Sequence, residues 1–395
     1  MVCPPMLPNG PIRLGNRLRS FDGLLMGASQ PARLGMLVGV TPGHTTLDAE
    51  LQKAATGIRL GIDTLTDLTI GLHSPLLSLL IERTAAPVGT VPAYALFSAF
   101  KADPTRDLRS LLLRTLERQA REGADFFSVH MSLVRAQFAE LGGSDRVIPM
   151  TSRGGAMVAA MMADAGCENP FFEFQDDILN LCAEYQITLS LVGSFRPGSI
   201  ADAFDAFHLH ELQLQSEIVA AAHARSVQTI VELVNHVSLD AIERYIQLGE
   251  SLFDGSPIGC LGPSPTDIAI GFDDVAGAIA AAVAVWKGAS WVNCITAGEH
   301  TYLPSEHEVE RAIRFFRTAL YIGGLASGQS VERDRKLSSA RARNDWGAMA
   351  TLSLFSDVAQ SLMVEHGYHT GQPCDMCGGA CPLVRTRHLL STTHW

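Results

Sequence analysis

The sequence predicts an α/β fold: a (β/α)8 barrel with a C-terminal helical segment and a cysteine-rich loop. Three observations carry this. From about residue 35 onward, short β-branched or apolar runs alternate with amphipathic stretches, the rhythm of parallel strands joined by crossover helices. Some eight repeats fill roughly 260 residues, which suits a closed barrel better than an open sheet. No Gly-x-Gly-x-x-Gly opens a strand–helix unit, so an open doubly wound sheet ranks second.

Taken in order, residues 1–34 are rich in Pro, Gly and Arg and read as an irregular N-terminal segment. The opening Met1-Val-Cys-Pro-Pro-Met-Leu-Pro has no basic stretch followed by an apolar run, so no secretory signal is expected there. Candidate strands are Met36–Val40, Thr64–Ile70, Val88–Val91, Phe126–Met131, Val147–Thr151, Ile187–Val192, Thr229–Val234, Ile258–Leu261 and Trp291–Ile295. Nine runs for eight strands leave one extra or an edge hairpin. Helices are expected over 47–60, 107–122, 156–165, 174–185, 208–225, 238–250 and 273–287. Beyond residue 300, Glu306–Gly324 and Leu337–Glu365 read as long helices, the second broken near Asn344. A cysteine loop and a frayed tail ending His394-Trp395 follow. A boundary at Ser327-Gly328-Gln329 divides a barrel domain, 35–330, from a C-terminal segment, 331–395.

The 395 residues are 47% apolar, enough for a large core, and carry 30 basic against 41 acidic side chains, a net charge of −11. That balance argues against a nucleic-acid surface. The longest apolar run, Val275 to Trp286, is too short to span a bilayer and reads as a buried helix. Five of the eight cysteines (3, 167, 182, 260 and 294) are scattered. This is no disulfide framework, and it fits a reducing cytoplasm.

The other three cysteines sit close together in Cys374-Asp-Met-Cys377-Gly-Gly-Ala-Cys381. Gly378 and Gly379 let the chain wrap tightly, and Pro373 and Pro382 interrupt helix on either side. Three thiolates without a fourth suit an iron–sulfur cluster with one iron open to another ligand. A zinc knuckle completed by His366 or His369 is the alternative on spacing alone.

In a barrel, chemistry sits where each strand meets the next helix. Tyr94, His130, Ser152, Arg153, Arg196, Glu232, His236, Thr266, Asp267, Glu299 and His300 all follow or end candidate strands. Ser152-Arg153-Gly154-Gly155 is the best phosphate candidate: bare backbone N–H groups open a helix, and Arg153 adds a forked cation. A plain N-cap by Ser152 is the bland reading. Arg196-Pro-Gly-Ser199 repeats the logic before an expected helix over 200–206. His236 and His300 offer two imidazoles for zinc or iron and leave positions open for substrate. Glu232, four residues before His236, is a candidate acid/base group or partner of that histidine.

In this order the motifs resemble the thiamin pyrimidine synthase family, a non-standard group of radical S-adenosylmethionine enzymes. The resemblance runs from about 35 to 385. It rests on Gly89-Thr-Val-Pro-Ala-Tyr94, Asp125-Phe-Phe-Ser-Val-His130, Ser152-Arg-Gly-Gly155, Glu168-Asn-Pro170, Leu189-Ser-Leu191, Arg196-Pro-Gly-Ser199 and Ala201-Asp202. It continues through Glu232 and His236, Leu261-Gly-Pro263 with Thr266-Asp-Ile268, Glu299-His300 with Leu303-Pro304, Arg333-Asp334, Leu337-Ser338, Ala340-Arg341 and the cysteine loop. The resemblance implies a (β/α)8 barrel whose C-terminal segment reaches into the partner's active site in a cytoplasmic homodimer. It implies a [4Fe–4S] cluster on Cys374, Cys377 and Cys381 that binds S-adenosylmethionine, and a second divalent metal, zinc or iron, on His236 and His300. It implies a carbon–carbon lyase that rearranges 5-aminoimidazole ribonucleotide into 4-amino-5-hydroxymethyl-2-methylpyrimidine phosphate through a 5′-deoxyadenosyl radical. Electrons would come from a reduced flavodoxin or ferredoxin. Tyr94, His130, Ser152, Arg153, Gly154, Arg196 and Glu232 would hold the substrate, with Glu232 catalytic.

The chain departs from the family pattern in places. The gap between Cys377 and Cys381 is one residue shorter. A family asparagine is Leu37, a methionine is Thr66, and a family carboxylate is lost in the stretch Val192-Gly193-Ser194-Phe195. The stretch leading to His236 reads Glu232-Leu-Val-Asn235-His236, and a tyrosine is Gly259. These changes leave a 5-hydroxybenzimidazole synthase as the alternative on the same substrate. A non-catalytic binder of a phosphorylated ligand, or a zinc hydrolase using His236 and His300, would be of another class.

Overall fold

Eight parallel strands close into a barrel in the computed structural model, which describes residues 10–392. Around the barrel they are Arg33–Val38, Thr64–Asp67, Val88–Thr90, Phe126–Val129, Thr188–Val192, Thr229–His236, Ile258–Ser264 and Trp291–Asn293. The last pairs with the first, Val292 opposite Leu34. Each strand is followed by at least one helix. The helices start where local chemistry starts them. Thr46, Ser74, Asp107, Ser152 and Asp205 accept N-terminal amides as N-caps, and Ser305 with Glu308 forms a reciprocal capping box. The core is a continuous shell of apolar side chains between strands and helices, Leu65, Val129, Leu189, Val231, Ile242 and Phe316 among them.

Eight of the nine candidate strands form the barrel. The ninth, Val147–Thr151, is irregular chain. Its Val147 and Ile148 amides donate to the Asp202 carboxylate at 2.8 and 3.0 Å, and the Val147 side chain is 65% exposed. With those two amides already bound and Val147 in water, the run has little to bring to a ladder.

The expected irregular N-terminal segment contains an antiparallel ribbon, Ile12–Leu14 against Leu24–Met26. Strands of three residues are too short for alternation to announce them. Burial explains the ribbon: Ile12, Leu14 and Met26 pack with Phe126, Ile230 and Trp291, which start their strands or lie near the start. They plug the N-terminal end of the barrel. Nearby, Arg19 pairs with the buried Asp125, whose carboxyl burial pushes up to about 6 despite that partner. The expected absence of a leader at Met1-Val-Cys-Pro-Pro-Met-Leu-Pro lies outside the described residues, as do Cys3 and His394-Trp395.

Other boundaries shift. The helix expected at 156 begins at Arg153, and the one expected over 200–206 is a single turn, Ile200–Asp202. Helices Pro75–Arg83 and Pro92–Ala102, opened by proline, were not anticipated. Helix Asp273–Lys287 is not wholly buried: Ala280, Ala281 and Ala284 face inward while Ile279 and Trp286 are exposed. Among the described residues no helix is long and apolar enough to cross a membrane.

The chain divides into two units, Met1–Ser327 and Gly328–Trp395. The second contains helices Glu332–Ala342, Trp346–Leu352, Ser356–Glu365 and Pro382–Thr392, the last lying where a frayed tail was expected. Asn344, buried and left-handed (φ 56°), makes the break between the first two, and its carbonyl accepts from Gly371.

Candidate active site

Side chains alternate across a strand, so every second residue of each barrel strand points to the axis. At mid-height that inward set is polar. Glu232 is the centre of it. Its Oε1 accepts from the Ser190 hydroxyl at 2.7 Å and the Ser128 hydroxyl at 3.3 Å, while its Oε2 has no partner. Burial raises the Glu232 pKa, with the two hydroxyls and the Arg196 charge opposing. Above this layer, at the C-terminal end, opens a cavity of about 430 Å3, within the size range of small-molecule sites. Tyr94, His130, Ser152, Arg153, Gly154, Arg196, Glu232 and His300 all line it. Its walls also include Lys53, Asn293 and the apolar Leu37 and Val192.

His130 directly follows the fourth strand. Its Nε2 lies 2.8 Å from Ser152 Oγ, and its Nδ1 is buried without a partner. Burial lowers its pKa to about 3, so the ring is neutral. Asn169 holds this strand end: its amide donates to the carbonyls of His130 and Leu133 at 2.9 and 2.8 Å. In the sequence Asn169 stands only within the Glu168-Asn-Pro170 motif. Ser152 Oγ also accepts from Gly155, so one hydroxyl both caps helix Arg153–Ala165 and meets the imidazole. Arg153 Nε donates to the Tyr94 hydroxyl at 3.1 Å.

Gly154 is fixed by space. A Cβ there would overlap the His130 ring and lie 2.8 Å from its Nδ1. Gly154→Ala is therefore expected to cost about 1–3 kcal/mol by overpacking and to weaken ligand binding by displacing His130. Thermal melting and ligand titration read the two effects.

Arg196 stands on the loop after the fifth strand. Its NH1 donates to the Gly193 carbonyl at 2.8 Å and its Nε is unpartnered. Glu211, on helix Ala206–His223, shapes that loop by accepting the amides of Ser194 and Phe195 at 2.6 and 2.7 Å and the Ser132 hydroxyl at 3.0 Å. Burial outweighs these donors and pushes Glu211 from 4.5 up to about 7. A carboxyl with a raised folded pKa stabilises fully below its unfolded value, and that contribution is lost as pH rises through the folded value. Melting temperature should therefore fall between about pH 5 and pH 8, and Glu211→Gln should flatten that fall; thermal scans across the window check it.

His236 and His300 come together at the mouth, their Nε2 atoms 3.0 Å apart. His236 Nδ1 lies 2.8 Å from Asp267, whose other oxygen accepts from Ser199 and Ile200. Asp267, and not Glu232, is the partner of His236. Register shifts at Glu232/Val234 and Val234/His236 re-aim the end of that strand. His300 is held left-handed, φ 64°, in a turn where Thr301 and Tyr302 donate to Gly298. An Nδ1–H donated to a carboxylate leaves the Nε2 lone pair free, the second-sphere arrangement of metal-binding histidines. The pair fits two corners of a metal site.

In the second unit Cys374, Cys377 and Cys381 are free thiols, half-buried, exposed and buried respectively. The loop wraps through Gly378 N–H to the Cys374 carbonyl at 3.0 Å and Ala380 N–H to the Cys377 carbonyl at 2.9 Å. Asp375 is tied to His366 Nδ1 at 3.3 Å and to the Tyr368 hydroxyl at 3.4 Å. Among the described residues no group of three or more His, Cys, Asp or Glu is arranged to hold a metal. The donor set, three unpaired thiols in eight residues, fits the chemistry of a cluster; the thiols themselves are not converged.

The sequence profile of the radical SAM ThiC family matches residues 12–388. A phosphomethylpyrimidine synthase of Thermus thermophilus is 34% identical over 371 residues, 93% of this chain and 85% of that one. One from Ignicoccus hospitalis is 34% identical over 366 residues, 90% of this chain and 83% of that one. Among solved structures, a dihydropteroate synthase from Coxiella burnetii covers 80% of this chain and 99% of its own, with 13% identity and a TM-score of 0.46.

Proposed function

The chain belongs to the radical SAM ThiC family, and from that premise we propose that it rearranges 5-aminoimidazole ribonucleotide into 4-amino-5-hydroxymethyl-2-methylpyrimidine phosphate, as a carbon–carbon lyase. The observation that carries this is one cavity ringed by buried, unpartnered polar atoms: His130 Nδ1, Arg196 Nε, Glu232 Oε2, Asn293 and Thr66 Oγ1. Buried polar groups without partners are costly, so such a ring is arranged for a polar ligand.

In this reading the phosphate meets the start of helix Arg153–Ala165. Backbone amides and the helix dipole favour an anion there, and Arg153 adds a forked cation steadied by Tyr94. His130, neutral, contributes hydrogen bonding rather than charge. Arg196, buttressed by Glu211, brings a second cation to the same wall. Glu232 holds or passes a proton at Oε2, its other oxygen fixed by Ser128 and Ser190. Cys374, Cys377 and Cys381 would hold a [4Fe–4S] cluster, which would supply the electron for reductive cleavage of S-adenosylmethionine. His236 and His300 would hold a second divalent metal, zinc or iron, with Asp267 fixing the tautomer of His236. A homodimer, and an electron donor of the reduced flavodoxin or ferredoxin type, belong to the same reading.

The test is product mass from anaerobic turnover of the reconstituted full chain with 5-aminoimidazole ribonucleotide, S-adenosylmethionine and reductant. The pyrimidine phosphate is expected. 5-Hydroxybenzimidazole would replace this reading with the alternative on the same substrate. Absence of both would count against catalysis on this nucleotide.

A further inference from the structure

Asn293 ends the eighth strand, opposite Gly35 on one side and Leu261 on the other. It is 1% exposed and lines the cavity, yet neither its Oδ1 nor its Nδ2 has a hydrogen-bond partner. The neighbouring strand leaves room for that carboxamide. A Cβ on Gly35 would overlap Asn293 Oδ1 and fall 2.7 Å from Trp291 Nε1. On the strand next to Gly35, Thr66 presents a second unpartnered oxygen to the same cavity.

A buried carboxamide with both ends free lacks the partner its chemistry calls for. It offers a donor beside an acceptor in one plane. It is satisfied by a ligand that brings a hydrogen-bond donor such as an aromatic amine to its Oδ1, as it does with the amine of adenine. We propose that Asn293 is a specificity-determining contact that reads the heteroaromatic ring of the substrate, its Oδ1 accepting from the ring's primary amine, with Thr66 adding a hydroxyl to the same face. This rests on the functional reading above and extends it: the arginine wall takes the phosphate, and Asn293 takes the base. No part of the sugar phosphate enters the contact.

The experiment separates the two ends of the ligand. 5-Aminoimidazole ribonucleotide and ribose 5-phosphate, which lacks the base, are titrated calorimetrically into the reconstituted full chain. S-adenosylmethionine and reductant are withheld, so nothing turns over. Wild type should bind the nucleotide more tightly than the sugar phosphate. Asn293→Ala should weaken nucleotide binding about ten- to a hundredfold and leave ribose 5-phosphate binding unchanged, which also shows that the variant is folded. Asn293→Ser, which keeps a hydroxyl, should lose less. Unchanged nucleotide binding in both variants, or equal weakening of both ligands, overturns the inference while the functional reading stands. A wild type that binds neither ligand overturns the functional reading, and the inference with it.

Discussion

Serine in place of Cys374, Cys377 or Cys381 should abolish turnover and strip the protein of iron and acid-labile sulfide. The three thiols are the whole sulfur complement of their loop apart from the Met376 thioether, and none is tied up in a disulfide. A cluster held by three thiolates has no spare ligand, so loss of one leaves two corners of the cube without protein. Nucleotide affinity should be unchanged, because every residue lining the cavity precedes Ser327. That split matters. A cysteine variant that lost nucleotide binding together with iron would point to a collapsed chain rather than to missing redox chemistry. Iron and sulfide analysis beside calorimetry on the same preparations distinguishes the two.

Glu232→Gln should lower turnover by about 10²–10⁴, the span of positioned acid–base groups, while leaving melting temperature unchanged or slightly raised. The substitution keeps the shape of the side chain, and an amide oxygen can still accept from Ser190 and Ser128. Burial penalises the charged form of this carboxyl, so a neutral replacement removes a cost of the folded state. Activity and stability therefore move independently. Equal loss of both would make Glu232 a structural residue. Anaerobic rate measurement and thermal melting of one preparation decide it.

The barrel was legible because its strands are short runs rich in β-branched and apolar residues, buried between helices outside and side chains inside, that alternate with helical stretches. One run misled. Val147–Thr151 has strand composition, yet its amides serve Asp202, a partner 54 residues or more away that no local pattern announces. The site was half legible. Tyr94, His130, Ser152, Arg153, Arg196 and Glu232, all expected at strand ends, line one cavity, although Ser152 and Arg153 follow no strand and Glu232 lies within one. The supporting residues were hidden. Ser128 and Ser190 look like ordinary polar interruptions of a strand. Glu211 looks like a surface carboxylate on an amphipathic helix, and only the folded chain buries it under Ser194 and Phe195. Asp267 stood out as a rim residue, but its bond to His236 depends on the irregular strand beside it.

The most direct measurement is release of 5′-deoxyadenosine by the reconstituted, reduced full chain, with and without 5-aminoimidazole ribonucleotide. A protein carrying iron and acid-labile sulfide should release it, and the nucleotide should be needed for sustained release. Zinc without labile sulfide, together with no 5′-deoxyadenosine even when the nucleotide is present, would contradict radical chemistry in this barrel.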